Sequence, residues 1–310
     1  MFIVYDFFDI INNMVLTKEK TSINGLWFIK SSIFLDTVFF SASNWSLRKK
    51  LEFIYKKYWE IFLLISGIKK FKFGKNFVTL FGKKIFYDSP YGIAGYQSML
   101  ARQQKMLKLA GPKSAKVIVD VGANVGFFSM MLRALYPKAK IYAIEPVPKI
   151  YNCLKDNLTF PLDKTFNTAI SDKEEALKMQ FNDRESAFSY VIPSNDLAGR
   201  PQESLVDVKA VTLDKFCKDN KIGFSDILKI DTEGFEASVL RGAKRILSKT
   251  KYLHIEISLE YNTNYTFSEI NSLLYSKDYN FQLVYFRNFT GKGYGRITVG
   301  EFLYRNVRLD

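Results

Sequence analysis

Residues 47–65, LRKKLEFIYKKYWEIFLLI, carry apolar side chains at 47, 51, 54, 55, 58, 61, 62 and 65, a spacing that returns to one side of a helix every three or four residues. The pattern predicts an amphipathic helix, with Arg48, Lys49, Lys50, Lys56 and Lys57 off the apolar stripe. Residues 77–87 read as two short strands about a Gly82-Lys83 turn. From residue 117 the pattern becomes strand, helix, strand. Val117-Ile-Val-Asp-Val121 is an apolar run of strand length, a helical stretch over Phe127 to Tyr136 is ended by Pro137, and Lys140-Ile-Tyr-Ala-Ile144 is the next strand. This order predicts an α/β fold with a mainly parallel sheet, right-handed crossovers, and a ligand crevice at the carboxyl ends of the strands. Further on, Lys251 to Ile257 reads as a strand and Phe267 to Tyr275 as a helix. Phe281 to Phe286 and Arg296 to Tyr304 then read as candidate strands around the glycine-rich loop 288–295.

Composition narrows the class. A chain of 310 residues that is 47% hydrophobic and 16% aromatic has enough apolar material to offset chain entropy, which excludes global disorder. Cys153 and Cys217 are the only cysteines and His254 the only histidine, too few for a disulfide framework or a structural zinc site, so a reducing compartment is expected. The start, MFIVYDFFDI, holds Asp6 and Asp9 where a signal peptide has a basic flank, and apolar stretches such as Ile61 to Ile68 fall short of the roughly 20 residues that span a bilayer. The expectation is a cytoplasmic protein that is not secreted and has no transmembrane helix.

Charge is unevenly spread. The net charge is +14, and residues 1–115 hold 18 Lys and Arg against 7 Asp and Glu. With Gly111-Pro112 as punctuation, this divides the chain into a basic, aromatic-rich helical extension (1–76), a hairpin and helix leading into the core (77–115), and a main domain (116–310). Two readings of the extension stand side by side. Its helix packs on the main domain with a solvated basic face, or residues 47–75, including Lys69, Lys70, Lys72 and Lys75 interleaved with Phe71 and Phe73, make peripheral contact with an anionic membrane. Nucleic acid is a third partner for such charge.

The crevice chemistry starts at Gly122-Ala-Asn-Val-Gly126. The two glycines permit a sharp turn and close approach of a ligand to the backbone, ahead of a helix with free N–H groups. Glu145, about twenty residues past the loop at the end of the next strand, is placed to accept hydrogen bonds from both hydroxyls of a ribose. Together they point to an adenosine-type cofactor. Asn124 stands where a dinucleotide fingerprint has its second glycine, which argues against nicotinamide and flavin cofactors.

Four stretches carry a family resemblance: Val119-Asp-Val-Gly-Ala-Asn-Val-Gly-Phe-Phe-Ser129, Ala143-Ile-Glu-Pro-Val-Pro148, Asn167-Thr-Ala-Ile-Ser-Asp172 and Leu228-Lys-Ile-Asp-Thr-Glu-Gly-Phe-Glu236, with Val211-Thr-Leu-Asp214 before the last. Over about residues 85–260 the chain resembles class I S-adenosylmethionine-dependent methyltransferases, specifically the FkbM family. The resemblance implies a Rossmann-like, seven-stranded sheet with an antiparallel last strand. It implies that Gly122, Ala123, Asn124 and Gly126 surround the amino-acid end of S-adenosylmethionine and that Glu145 holds the ribose. Asn167, Ala169 and Ile170 would flank the adenine, with Asp120, Phe127, Phe128 and Pro146 in the same cofactor site. Asp231 would face both methyl donor and acceptor, and the acceptor would be a hydroxyl group of a glycan or small metabolite.

O-methylation needs the acceptor oxygen aligned with the methyl and its proton removed. Asp231 and Glu233, just past a strand, are candidates to accept that proton or to bind a divalent ion that acidifies the hydroxyl; they could instead simply cap the following helix. His254, with Glu256 on the same face of its strand, is a second base candidate or an ordinary interior histidine. No Asp/Asn-Pro-Pro-Tyr/Phe loop for base N-methylation is present, and neither cysteine has a Pro-Cys context for a covalent cytosine mechanism. The alternatives are an RNA methyltransferase docked by its basic segment, and an inactive cofactor-fold module recruiting partners through residues 1–75.

Overall fold

The computed structural model describes residues 46–65, 68–69, 75–80, 83–87, 102–181, 189–191, 205–258, 265–276, 278–290 and 297–309. The segments 182–188, 192–204 and 291–296, most of the polar 182–205 stretch and of the glycine-rich loop 288–295, lie outside them, as do residues 1–45.

Helix α1 (Leu47–Ile65) leads to a hairpin of β1 (Phe77–Leu80) and β2 (Lys83–Phe86), and helix α2 covers residues 102–110. Then come β3 (Val117–Val121), α3 (Phe127–Leu135), β4 (Lys140–Ile144), α4 (Pro148–Asn157) and β5 (Asp163–Phe166). The strands β6 (Ala169–Ser171), β7 (Glu175–Gln180), β8 (Tyr190–Val191) and β9 (Leu205–Thr212) follow, then α5 (Leu213–Asp219) and β10 (Ser225–Ile230). The remainder is α6 (Glu236–Arg241), α7 (Lys244–Leu247), β11 (Thr250–Ser258), α8 (Phe267–Leu274), β12 (Phe281–Thr290) and β13 (Ile297–Asn306).

Seven strands form one sheet in the order β12-β13-β11-β10-β3-β4-β5. The five from β5 to β11 are parallel, and β13 runs antiparallel to both of its neighbours. This is the class I methyltransferase architecture, Rossmann-like and closed by an antiparallel pair. The predicted strands at 117–121 and 140–144 form with those bounds, and the closing pair is longer than its apolar pattern implied. A second sheet of four strands, β6-β9-β7-β8, was not legible in the sequence. β6 and β8 have only three and two residues, and the alternation in β7 and β9 is too brief to stand out.

The period of two along each strand sorts the core into two faces. Val119, Val121, Leu228, Ile230, Leu253, Ile255 and Ile257 belong to one cluster, while Ile118, Ile141, Ile227 and Leu303 face the other, beside Phe128 and Met131 of α3. Alternation therefore puts Asp120, Lys229, His254, Glu256 and Glu301 on the α3 face. Register then lines up three of them: Asp120 pairs with Lys229 across β3 and β10, and Lys229 with His254 across β10 and β11. Glu256 pairs with Glu301 across β11 and β13. A row of polar groups thus crosses an otherwise apolar sheet.

The hairpin is fastened to α4 through Asn157, whose Nδ2 donates to the Phe86 carbonyl at 2.9 Å and whose Oδ1 accepts the Phe86 N–H at 2.8 Å. Helix α1 packs on the hairpin by the side bearing Phe53, Lys57 and Glu60, all buried. Glu60 accepts from Lys69 Nζ and from Tyr87 Oη, and Lys69 also donates to the Phe77 carbonyl at 3.2 Å. Of the predicted apolar stripe, Leu47, Leu51 and Tyr55 face solvent, Ile54 and Tyr58 are half-buried, and the side chains at 61, 62 and 65 lie outside the described residues. The reading in which that stripe packs on the main domain is therefore corrected for Leu47, Leu51 and Tyr55. The side opposite it docks, because a buried carboxylate with two donors and Lys57 stacked 4.7 Å over the Tyr58 ring satisfy charges the periodicity assigned to solvent.

Candidate active site

The loop after β3 begins with two backbone bonds that set its path: Gly122 N–H and Ala123 N–H both donate to the Ile144 carbonyl, at 3.0 and 2.9 Å. Gly122 has φ of 74°, and a Cβ there would lie 1.7 Å from the Asp231 carbonyl oxygen. Glycine is thus required by the close passage of the β10 loop, a reason different from ligand approach. Asn124 takes φ of 51° and its Oδ1 accepts the Val125 N–H at 2.6 Å, the local bond that lets Asn occupy left-handed backbone. Gly126, φ 92°, closes the turn into α3, and a Cβ there would lie 2.8 Å from Leu154 Cδ1.

Glu145 leaves the end of β4, 5% exposed. Its Oε2 accepts the Asn124 N–H at 3.1 Å and its Oε1 the Val147 N–H at 2.9 Å. Burial pushes its carboxyl up to about 7, against the pull of these two N–H groups. A carboxylate offers about four lone-pair sites, so with two taken, two remain. Those two match the paired hydroxyls of a ribose, and the residues present fit an adenosine-type cofactor at this edge. Asn167 serves the same corner by donating from Nδ2 to the carbonyls of Glu145 (3.0 Å) and Pro146 (2.8 Å), which holds the β4 end in place. Ala169 and Ile170 open β6 and are buried, Phe127 and Phe128 form the buried first turn of α3, and Ala123 is buried in the loop.

Behind the loop lies a buried ionic hub. Lys229, 4% exposed on β10, sits 3.3 Å from Asp120 and 3.2 Å from Asp231, and donates to the Gly122 carbonyl at 2.6 Å. Ser129 Oγ donates to the other Asp120 oxygen at 2.6 Å. Burial works against the ammonium, but the carboxylates of Asp231 and Asp120 outweigh it and lift its pKa above the ordinary lysine value. Lys229 was missed as a site residue. The signal was available: a lysine inside the buried strand Ser-Asp-Ile-Leu-Lys-Ile needs anionic partners to be there at all.

Beyond the hub, Asp231, Glu233 and Glu256 bring carboxylate oxygens within 4.8 Å of one another. Glu256 was noted in the sequence only as a neighbour of His254, because its approach to Asp231 depends on the pairing of β10 with β11. Burial, then the charges of Asp231, Glu233 and Glu301, hold Glu256 well above the usual carboxylate range. Glu233 takes φ of 52° and is exposed, with its carboxylate beside those of Asp231 and Glu256. Desolvation there, with the charges of Asp231 and Glu236, raises it to about 8. Such a group of oxygens can accept a proton or hold a hard divalent cation.

Neither Asp231 nor Glu233 caps α6, whose N-cap, Phe235, carries no side-chain cap bond; the turn before it is held by Glu236, whose Oε1 accepts from Thr232 N–H (2.8 Å), Thr232 Oγ1 (3.1 Å) and Gly234 N–H (3.2 Å). That leaves the other two carboxylates without this structural duty. His254 lies on the same face below the acids, stacked on Phe128 with ring centroids 5.1 Å apart and planes 12° apart. Burial, then the Lys229 charge, lowers its pKa to about 3, so its imidazole is neutral. On the far side, Glu301 accepts from Gln103 Nε2 at 2.5 Å, with Arg287 3.7 Å from its other oxygen. Among the described residues, no helix is long and apolar enough to cross a membrane.

The family model for the methyltransferase FkbM domain matches residues 120–283. The chain is similar to the 2-O-methyltransferase NoeI of Sinorhizobium fredii, 28% identical over 170 residues that cover 47% of this chain and 65% of the relative. It is also similar to methyltransferase sdnD of Sordaria araneosa, 29% over 188 residues (52% and 66%). A third relative is the hexuronic acid methyltransferase AglP of Haloferax volcanii, 25% over 144 residues (46% and 55%). The chain spans less than two thirds of the length of each of these curated relatives. Among solved structures, the FkbM methyltransferase of Methylobacillus flagellatus aligns with 70% of this chain and 56% of its own, at 16% identity and a TM-score of 0.39.

Proposed function

Because the chain belongs to the FkbM methyltransferase family, we propose that it transfers the methyl group of S-adenosylmethionine to a hydroxyl oxygen of a sugar or other small hydroxylated metabolite. The observation that carries this reading is the pairing of Glu145, two of whose lone-pair sites remain open, with the carboxylate group of Asp231, Glu233 and Glu256 two strands away in the sheet. The first edge suits an adenosine ribose and the second suits the proton of an alcohol.

When bound, S-adenosylmethionine supplies an electrophilic methyl. The acceptor oxygen forms the new C–O bond as the C–S bond breaks and its electron pair returns to sulfur, while the hydroxyl proton passes to a carboxylate. Asp231 is the carboxylate nearest the loop, held by Lys229, and Glu233 and Glu256 lie within 4.8 Å of it. Raised proton affinity suits Glu233 to receive a proton near neutral pH. The same three side chains would hold a divalent cation, whose chemistry would be to lower the pKa of the acceptor hydroxyl. Relatives named for 2-O-methylation and for hexuronic acid methylation support a sugar-type acceptor. His254 has neither the exposure nor the basicity of a general base, and its part in this reading is to floor the site with Phe128.

The test is calorimetry of the full chain with S-adenosylmethionine and S-adenosylhomocysteine, with Glu145→Ala in parallel, followed by a methyl-transfer screen over hydroxylated sugars. Micromolar binding, about −8 kcal/mol, weakened by Glu145→Ala, and turnover lost in Asp231→Asn with binding retained, are the expected results. Absence of cofactor binding by the folded chain would overturn the reading. Dialysis against a chelator and re-addition of Mg²⁺ separates metal-assisted from unassisted proton removal.

A further inference from the structure

The catalytic reading leaves the outer side of α1 unused. Leu47 (65% exposed), Leu51 (54%), Tyr55 (64%) and Trp59 (51%) recur every four residues along it. The inner side is already committed, through buried Phe53, Lys57 and Glu60, to the hairpin that Asn157 fastens to α4. The helix is therefore held in place from behind and presents a line of large apolar side chains outward. Water-facing residues of that size in a row are uncommon without something to cover them.

We propose that this face seats on an anionic lipid surface. Cations accompany the stripe: Arg48 and Lys49 are exposed on the same helix and Lys56 is half-buried beside them. They belong to the segment 1–115, which carries 18 of the chain's basic residues against 7 acidic ones. That charge disfavours a second copy of this chain as the occupant, since it would bring two basic helices together. It complements phosphate-bearing headgroups, which attract Lys and Arg near the membrane surface. Tyr55 and Trp59 have the apolar ring and polar edge that sit at headgroup depth.

Co-sedimentation of the full chain with vesicles of phosphatidylcholine and phosphatidylglycerol, against phosphatidylcholine alone, tests this. The wild type is expected to sediment with the anionic vesicles and to be released by salt. Leu51→Glu/Tyr55→Glu is expected to weaken partitioning about tenfold or more, and Arg48→Glu/Lys56→Glu to weaken it and flatten its salt dependence. All four positions lie outside the core and outside the carboxylate and glycine-loop site, so melting temperature and S-adenosylmethionine binding should match wild type and show that the variants are folded. Failure of the wild type to sediment, equal sedimentation with both vesicle types, or sedimentation unchanged in both variants would overturn the proposal. So would a wild-type dimer in sedimentation equilibrium that Leu51→Glu/Tyr55→Glu dissociates, which would assign the stripe to a second copy.

Discussion

Asn157 holds Phe86 by both of its main-chain polar groups, donating to the carbonyl at 2.9 Å and accepting the N–H at 2.8 Å, as a neighbouring strand would. The same Nδ2 also donates to the Val125 carbonyl at 2.8 Å, inside the glycine loop. One amide at the end of α4 thus ties the N-terminal hairpin to the loop that fits a cofactor. Asn157→Ala removes three bonds, each worth about 1 kcal/mol. Hydrogen exchange at the Phe86 amide should quicken by an order of magnitude or more, with a smaller rise at Gly126, while β10 and β11 are unaffected.

Lys229 is the second joint. Replacing it by Met leaves Asp120, fully buried, with only Ser129 as partner. Removing one partner of such a pair costs about 3–5 kcal/mol. Chemical denaturation of Lys229→Met should show a loss of that order, and Lys229→Met/Asp120→Asn should recover part of it because the uncompensated charge is gone. A double variant no more stable than the single one would show that the hub is not electrostatic.

Glu145 makes cofactor binding pH-dependent. Its carboxyl is raised to about 7 by burial, and ribose hydroxyls donate to the charged form. Below about pH 7 binding must first remove a proton, so affinity for S-adenosylmethionine should fall as pH drops, by up to about tenfold per unit, and level off above pH 8. Glu145→Gln should bind more weakly with a flat profile between pH 6 and 8. The sign for folding is opposite: the raised pKa gives stability that is complete below the unfolded carboxyl value and is lost as pH rises through about 7. The melting temperature of Glu145→Gln should therefore gain on wild type as pH rises from 5 to 8.

His254 should not titrate in the native protein. Burial, then the Lys229 charge, places its pKa at about 3, whereas the unfolded chain protonates near the ordinary histidine value. Because it is the only histidine, its ring C–H signals are unambiguous in a proton NMR spectrum. They should stay at the neutral position from pH 8 to pH 5. A depressed histidine contributes stability above pH 6.5 that is lost as pH falls, so His254→Phe should soften the acid sensitivity of folding. A midpoint near pH 6.5 in the native spectrum would restore His254 as a base candidate.

The carboxylate group predicts its own hierarchy. Asp231→Asn should cost turnover most, by a factor of about 10² or more, since Asp231 is both nearest the loop and held by Lys229. Glu256→Gln should cost less, because Glu256 meets the group from β11 and makes no ion pair with Lys229. Equal turnover in both variants would remove proton transfer from this corner.

Periodicity and spacing were enough to read the α/β alternation, the strands at 117–121 and 140–144, the glycine turn and Glu145 at its strand end, because each rests on residues within a few positions of one another. Even α1 was placed to the residue. Which way α1 faces was not, since Glu60 is buried against Lys69, Tyr87 and the hairpin, partners that no helical wheel contains. Nor could spacing along the chain bring Asp120 to Lys229, 109 positions away, or Glu256 to Asp231 across two strands. The chain's local pattern determined the elements and one face of the cofactor loop. The parallel register of β3, β10 and β11 decided which buried charges meet, because a cross-strand pair exists only once both strands are laid side by side.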